Sequence, residues 1–366
     1  MKTILRSIKK PAKLGFLSYV GDTQGCGTIR VIYPYFYLNH FRVKGVGVHS
    51  TFMMNYVSEI EWYGPFTFVQ FQRSATDGHL KLIEHFKNTV QKRFVIPVIY
   101  EVDDMLFNIP KWNYASLYYN NNEDIVKKIM EKCDAMIVST AKLKEVYSSY
   151  CKKIAVIPNH LPQFIWGDIY PSHEYYKEGS KIKILWAGSQ NHFVLREILG
   201  DDVKGGDFGE KLLDFIRKTV DVYEWHLMGA LPEELNGIKN KIKWHPWKNI
   251  FEYPRVLKDI EPDIAIAPLQ NNEFNNCKSN IKSLEYTACG AVGVYSDVTP
   301  YKFMSLRAKD DEEMISHIEQ LANDRYYRAR IYKKDYQRVQ NQLWWEKNDN
   351  IRKYINTYLN LFGQTL

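Results

Sequence analysis

The stretch "KSNIKSLEYTACGAVGVYSD", residues 278 to 297, sets Lys278, Lys282, Asn280 and Glu285 on what its pattern predicts to be the first turns of a helix, then runs through Gly290 into a strand. A helix start already carries unpaired amides and a partial positive charge. Lysines added there make a natural site for an anion such as phosphate. A solvated helix face is the plain alternative.

Two stretches of the first half carry further chemistry. "GDTQGCGTIR" (21 to 30) follows an apolar strand as a glycine-rich turn. Gly25 and Gly27 would let backbone approach a phosphate or sugar, with Arg30 about one turn on to pair with it. The glycine spacing fits neither the dinucleotide fingerprint nor a Walker loop, and a simple strand-to-helix turn reads equally well. "YEVDDMLFNIP" (100 to 110) places Asp103 and Asp104 directly after an apolar strand, at the end where ligands bind in open α/β sheets. One of them would orient or deprotonate an acceptor hydroxyl; capping a helix or pairing with an arginine are the other roles such carboxylates take. His49, His79, His160, His192 and His245 are scattered, and isolated histidines are more often packed or solvated than catalytic. His192, just past "AGSQN", is the one expected to face a cleft.

These side chains need a scaffold. The chain has 366 residues, 45% hydrophobic and 25% charged, which fits two globular domains rather than disorder. No apolar run approaches the roughly 18 residues of a membrane span, and the N-terminus lacks a secretory pattern, so a cytoplasmic protein is expected. Five cysteines show no metal-ligand spacing, no metal is expected, and reduced thiols are the default. The net charge of +7 is concentrated in residues 1 to 100, where 13 Lys and Arg face 5 Asp and Glu. That surplus is either an ordinary solvated surface or the footprint of a polyanionic partner, nucleic acid or an acidic membrane face.

Strand and helix patterns alternate, which predicts parallel sheets with crossover helices. Strands are expected at 14 to 20, 66 to 73, 93 to 104, 134 to 140 and 153 to 159, with helices near 76 to 92, 123 to 132 and 140 to 150. Residues 161 to 180 have turn chemistry and read as a linker. A second series starts afresh with strands at 181 to 189, 223 to 229, 241 to 247 and 262 to 269 and helices near 311 to 323 and 325 to 340. The amphipathic tail follows. The expected domains are 1–160, the linker 161–180, 181–340, and a C-terminal helix at 341–366 crossing back to the first domain.

This order of motifs resembles the GT-B glycosyltransferases, family four and its relatives in particular. "ILWAGS" (184 to 189) is similar to the first strand and turn of their nucleotide-sugar domain, which puts Gly188, Ser189 and His192 at the donor. "DIAIAPLQNNEFNNCKSNIKSLEYTACGAVGVYSD" (263 to 297) resembles their donor signature. The resemblance implies an α/β fold of two Rossmann-like, doubly wound domains facing across a cleft. It implies that Glu285 holds the nucleotide ribose, consistent with a carboxylate that accepts from two vicinal hydroxyls. The amides of Ser279 and Asn280 would meet the diphosphate, and Lys278 and Lys282, four residues apart and so on one face, would neutralise it. His245, with Pro246 and Trp247, falls where the nucleobase stacks in this fold. The chain departs from the pattern at Cys277, where many relatives carry a sugar-contacting glutamate.

The expected activity is transfer of a sugar from a nucleoside diphosphate sugar, a UDP-sugar, to an acceptor hydroxyl, without a metal or other cofactor. The basic first half, 26 tyrosines and 9 tryptophans fit a double-stranded DNA acceptor, as in phage enzymes that glycosylate 5-hydroxymethylcytosine, and the composition resembles that of tailed-phage products. A glycan or lipid-linked acceptor at the inner membrane face, reached through "KTILRSIKKPAK", is the alternative. A non-catalytic sugar-nucleotide or DNA-binding module is the third class.

Overall fold

The computed structural model describes residues 13–40, 42–43, 46–171, 179–347 and 349–364. Apart from Lys13, the basic segment "KTILRSIKKPAK" lies outside them. The chain divides into two compact units. One holds the residues up to Asn108 with Tyr119–His160 and the tail from Trp345; the other holds Ile109–Tyr118 and Leu161–Trp344.

The first unit is built on a seven-stranded sheet of β1 (Lys13–Tyr19), β2 (Arg42–Val43), β3 (Val46–Met53), β4 (Phe68–Gln72), β5 (Val98–Val102), β6 (Ala135–Val138) and β7 (Ile154–Val156), in the order β2-β3-β1-β4-β5-β6-β7. All neighbours are parallel except the β2–β3 pair. Every residue of β4, β5 and β6 is buried, as parallel strands covered on both faces require. β3 is a strand that the sequence pattern did not reveal. It runs beside β1 over seven residues, and Gly15 of β1 has no room for a Cβ because the His49 imidazole and the Pro65 carbonyl pass over it.

The expected turn at 21 to 30 is only half a turn. The chain becomes helical at Gly25–Gly27, widens into a π turn at Thr28–Ile32 and continues as the helix Tyr33–Asn39. Pro34 explains the wide turn, because its ring would clash with the Arg30 carbonyl in a regular α-helix. The C-terminal helix Asn350–Leu361 belongs to this unit. Tyr358 packs edge-on to Phe16, with centroids 5.2 Å apart, and its hydroxyl donates to Gln70.

The second unit is a six-stranded, wholly parallel sheet of β8 (Lys183–Gly188), β9 (Glu224–Gly229), β10 (Lys243–His245), β11 (Ile264–Ala267), β12 (Val292–Ser296) and β13 (Arg307–Ala308), in the order β10-β9-β8-β11-β12-β13. The order reverses between β8 and β11. Ligands bind at such switch points, outside the carboxyl ends of the strands. Residues Leu161 and Trp166, in the stretch read as linker, are buried in this unit's core with Leu257 and Leu284, and Leu161 bridges to Trp344.

Candidate functional site

Glu285 lies on the helix Ile281–Ala288, which follows β11 and leads into β12. The helix is anchored at both sides, since the Tyr286 hydroxyl donates to the Ile266 carbonyl and the Tyr332 hydroxyl to that of Thr287. It ends in a Schellman motif, with Ala291 N–H donating to Tyr286 and Gly290 N–H to Thr287, and Gly290 takes the positive φ of 78° this turn needs. Glu285 is only 5% exposed. Its Oε2 accepts from the Tyr253 hydroxyl at 2.9 Å and from Lys282 Nζ at 2.7 Å. Oε1 makes no hydrogen bond among the described residues. Burying a carboxylate this deeply is costly unless it is paired, so the tyrosine and lysine satisfy one oxygen and aim the group in one direction. Burial, then the Glu285 charge, pushes the Tyr253 hydroxyl far above its usual value, which keeps it a donor.

The two lysines are not a matched pair. Lys278 precedes the helix, in extended backbone between the helices Glu273–Cys277 and Ile281–Ala288, with Nζ 4.4 Å over the Phe274 ring. The expectation that it shares a helical face with Lys282 fails because the chain breaks between them. Asn280 occupies the cap position, and its amide exchanges hydrogen bonds with that of Gln342, leaving the helix's first amides rather than the Asn280 side chain for an anion. Ser279 precedes it. Cys277 is fully buried and packs into the core.

Gly188 and Gly229 end β8 and β9 side by side. Gly229 has φ 94°, and a Cβ there would collide with the Gly188 carbonyl oxygen, so the two backbones meet closer than any side chain permits. Ser189 caps the following turn through Asn191 N–H, and the turn delivers His192. His192 Nδ1 lies 2.8 Å from Asp207 Oδ2. Asp207 is buried, and its Oδ1 accepts from the Gln270 backbone and the Asn275 amide, both at 2.8 Å. One carboxylate thus ties together the loops after β8 and β11 and leaves the His192 Nε2 edge for a ligand. Trp112 extends this tie, with Nε1 donating to Gln270 Oε1 at 3.2 Å.

His245 ends the edge strand β10, and its Nε2 is 2.9 Å from His226 Nδ1 on β9, while His226 Nε2 is 2.7 Å from Glu224 Oε1. Trp247, 53% exposed, sits beside Gly229.

In the first unit, Asp103 and Asp104 follow β5. Asp103 Oδ1 pairs with Arg73 Nη1 at 3.0 Å, and the same nitrogen donates to Cys26 Sγ at 3.0 Å. Burial would raise the Asp103 carboxyl, but Arg73, Arg30 and a bond from Cys26 outweigh it and hold it below the usual aspartate value. A carboxylate held that low is a weak base. Arg73 adopts φ 50°, a strained conformation for a residue with a side chain, at the end of β4. Tyr147 donates to the Asp104 carbonyl.

The phosphate roles expected of Gly27 and Arg30 do not match their surroundings. Asp22 Oδ1 already accepts from Gln24 and Gly27 N–H, so these two amides of the turn are capped by the chain's own carboxylate. Gly27 is a glycine because a Cβ would collide with the Asp22 carbonyl; Gly25 has open space. Arg30 is 4% exposed and donates to Glu101, to the Ile157 carbonyl and to Asn159, at 2.6 to 2.7 Å. It is a buried structural ion pair.

Glu285 and Lys282 therefore stand together, as do Gly188, Ser189 and His192, while Lys278 stands apart. Asp103, Asp104, Gly25, Gly27 and Arg30 belong to the first unit and the others to the second. Tyr253, Asp207 and Arg73 were not singled out from the sequence, since their partners lie 15 or more residues away; nor was His226, between Glu224 two residues before it and His245 on the next strand. Among the described residues no cluster of His, Cys, Asp and Glu has the arrangement of a metal site.

No protein-family model and no curated protein sequence matches the chain. Among solved structures, an O-GlcNAc transferase mutant of Thermobaculum terrenum superimposes with a TM-score of 0.52 at 10% identity, covering 96% of this chain and 67% of that one. The chain has the α/β fold of the GT-B type. CalG4, the calicheamicin glycosyltransferase, aligns with a TM-score of 0.36 at 12% identity over 95% of this chain and 98% of its own. At 10% identity the likeness to the first is one of fold.

Proposed function

We propose that the protein is a glycosyltransferase that moves a sugar from a nucleoside diphosphate sugar, a UDP-sugar, to an acceptor hydroxyl. The observation that carries this reading is Glu285, a buried carboxylate fixed by Tyr253 and Lys282 with one oxygen left over, on the helix that follows β11 at the sheet's switch point. Its Oε1 is assigned to the ribose hydroxyls. The first amides of the same helix, with Lys282 in its first turn, stabilise the departing diphosphate, and that electrostatic task is met without a metal. The His192 ring passes close to Gly188, with Cδ2 3.0 Å from where a Cβ would sit, and its Nε2 is assigned to the sugar or its phosphates. In the reaction the bond from the anomeric carbon to phosphate breaks, the acceptor oxygen takes its place, and the acceptor proton passes to a base. Asp103, committed to Arg73, is assigned to orienting the acceptor, which leaves proton removal to Asp104.

For the acceptor we assign 5-hydroxymethylcytosine in duplex DNA, supported by the basic composition of residues 1 to 100. Of the 13 Lys and Arg there, Lys2, Arg6, Lys9, Lys10 and Lys44 lie outside the described residues, and Arg30, Arg73, Lys81, Lys87 and Arg93 are each ion-paired. A grip on DNA phosphates in this half would come chiefly from the segment before β1. No described helix is long and apolar enough to cross a membrane.

The test is incubation with UDP- and GDP-sugars, with and without hydroxymethylcytosine duplex, followed by the mass of the DNA and the release of nucleotide. A sugar-sized gain on the DNA supports the whole assignment. Donor turnover that ignores DNA moves the acceptor to a glycan or lipid, and no turnover with any donor rejects the enzyme reading. Glu285→Gln should weaken UDP binding roughly 10- to 150-fold, the loss of about 1.5–3 kcal/mol from a charged hydrogen bond; unchanged affinity would remove Glu285 from the site.

A further inference from the structure

Asp207 belongs to two places. Its Oδ2 holds His192, and the residue also lines a pocket of about 390 Å³ at the carboxyl ends of β12 and β13, where the helices Glu210–Thr219 and Asp311–Asn323 start. Every lining residue falls between Gly205 and Met314, in the second unit, and Gly188, His192, Lys282 and Glu285 are not among them. The side chains assigned to the nucleotide therefore leave this pocket without a role.

Its charge excludes one class of ligand. Asp207, Glu210, Asp310 and Asp311 bring four carboxylates against the one ammonium of Lys309, so three negative charges remain. Phosphate, and with it a nucleotide or a nucleic acid, is repelled. A metal ion is not favoured either, since the described carboxylates do not have the arrangement of a metal site.

The hydrogen-bonding groups select another class. Asp310 Oδ1 accepts from Glu313 N–H and Asp311 Oδ2 from Leu212 N–H, and the second oxygen of each makes no hydrogen bond among the described residues. Asn271 commits its Oδ1 to Asn276, which leaves its own N–H groups to donate, and Ser296 Oγ accepts from Leu269 N–H at 2.8 Å, which leaves the hydroxyl hydrogen. Spare acceptors and spare donors thus share one pocket, with the apolar Leu269 and Met314 in the same wall. A hydroxyl group both donates and accepts, and a sugar ring carries several of them on an apolar frame. The volume lies at the lower end of the roughly 300–1,000 Å³ of small-ligand sites. We propose that this pocket is a second binding site, for an uncharged sugar unit, and the assignment stands independently of the glycosyltransferase reading.

The test is saturation-transfer NMR and calorimetry with glucose, galactose, mannose, N-acetylglucosamine and their disaccharides, beside glucose 6-phosphate and glucosamine as charged probes. At least one uncharged sugar should bind, more tightly than glucose 6-phosphate, and saturating UDP should not displace it. Asn271→Ala and Lys309→Ala, both at exposed positions, should each weaken it roughly 2- to 12-fold, the loss of one hydrogen bond, in proteins whose melting matches wild type. No binding of any uncharged sugar at tens of millimolar overturns the site, as does binding of glucosamine alone, which would make the pocket a cation site. Sugar binding that UDP abolishes, or that both variants leave unchanged, places the sugar elsewhere and overturns it too. UDP binding without sugar binding removes only this site, whereas sugar binding that follows these expectations in a protein that binds no nucleotide upholds it and rejects the donor reading.

Discussion

Arg30 separates two accounts of the same residue, a phosphate-binding arginine or the structural partner of Glu101. Its side chain is 4% exposed and that of Glu101 1%, so neither charge reaches solvent. Arg30→Ala would strand the Glu101 carboxylate in the core and remove donors from the Ile157 carbonyl and Asn159. Breaking a buried pair at one side costs about 3–5 kcal/mol. In a unit of about 170 residues each kcal/mol moves Tm by about 2–4 °C, so the expected fall is roughly 6–20 °C.

The double variant Arg30→Met with Glu101→Leu removes both charges and should recover much of that loss, because the desolvation cost of the pair disappears with it. Circular dichroism melts and urea titrations of wild type, each single variant and the double variant close the cycle. Burial pushes the Glu101 carboxyl above its usual value despite Arg30. A raised carboxyl contributes stability that is complete below its unfolded value, near about pH 4.3, and shrinks as pH climbs through the folded value. Glu101→Gln should therefore lose less, relative to wild type, at pH 8 than at pH 5. An Arg30→Ala protein that melts within about 2 °C of wild type yet binds nucleotide tenfold more weakly would refute the structural account and restore the phosphate role.

Asp103 has the opposite sign: its lowered carboxyl contributes stability present above the unfolded value of about 3.9 and lost as pH falls through the folded one. Asp103→Asn should flatten the acid limb of the stability curve below about pH 4, and a wild-type limb retained in full would place the acid-sensitive group elsewhere. Gly229→Ala meets both φ 94° and the Gly188 carbonyl and should cost about 2 kcal/mol or more in urea titrations. Gly25→Ala, in open space on a helical turn, should cost nothing and gain up to about 1 kcal/mol; equal effects at both glycines would contradict the close approach of β8 and β9.

The elements most legible in the sequence were those buried on both faces. β5, β6, β8 and β11 are short apolar runs because residues pointing to both faces of each are buried, and burial of that kind is written directly into composition. β3 escaped because Gly47, His49, Ser50 and Thr51 dilute its pattern, although its pairing with β1 runs the length of both. The helix starting at Gly25 escaped for a related reason: glycines signal a turn locally, while the reason Gly27 must be glycine is the carbonyl of Asp22 packed against it.

The same distinction governs the site. A residue's type and its neighbours in sequence showed that Glu285 and His245 had chemistry to offer. What each one does depends on partners chosen by topology. Tyr253 is 32 residues from Glu285, Asp207 is 15 from His192, and Glu101 is 71 from Arg30. Those distances decide opposite outcomes for two charged side chains in similar local settings. Arg30 meets a buried carboxylate and two carbonyl oxygens and is consumed by them, whereas Glu285 meets two donors that bind one oxygen and leave the other. A charged residue has hydrogen-bonding capacity to offer a ligand only where the fold satisfies part of it, and Glu285 meets that condition here.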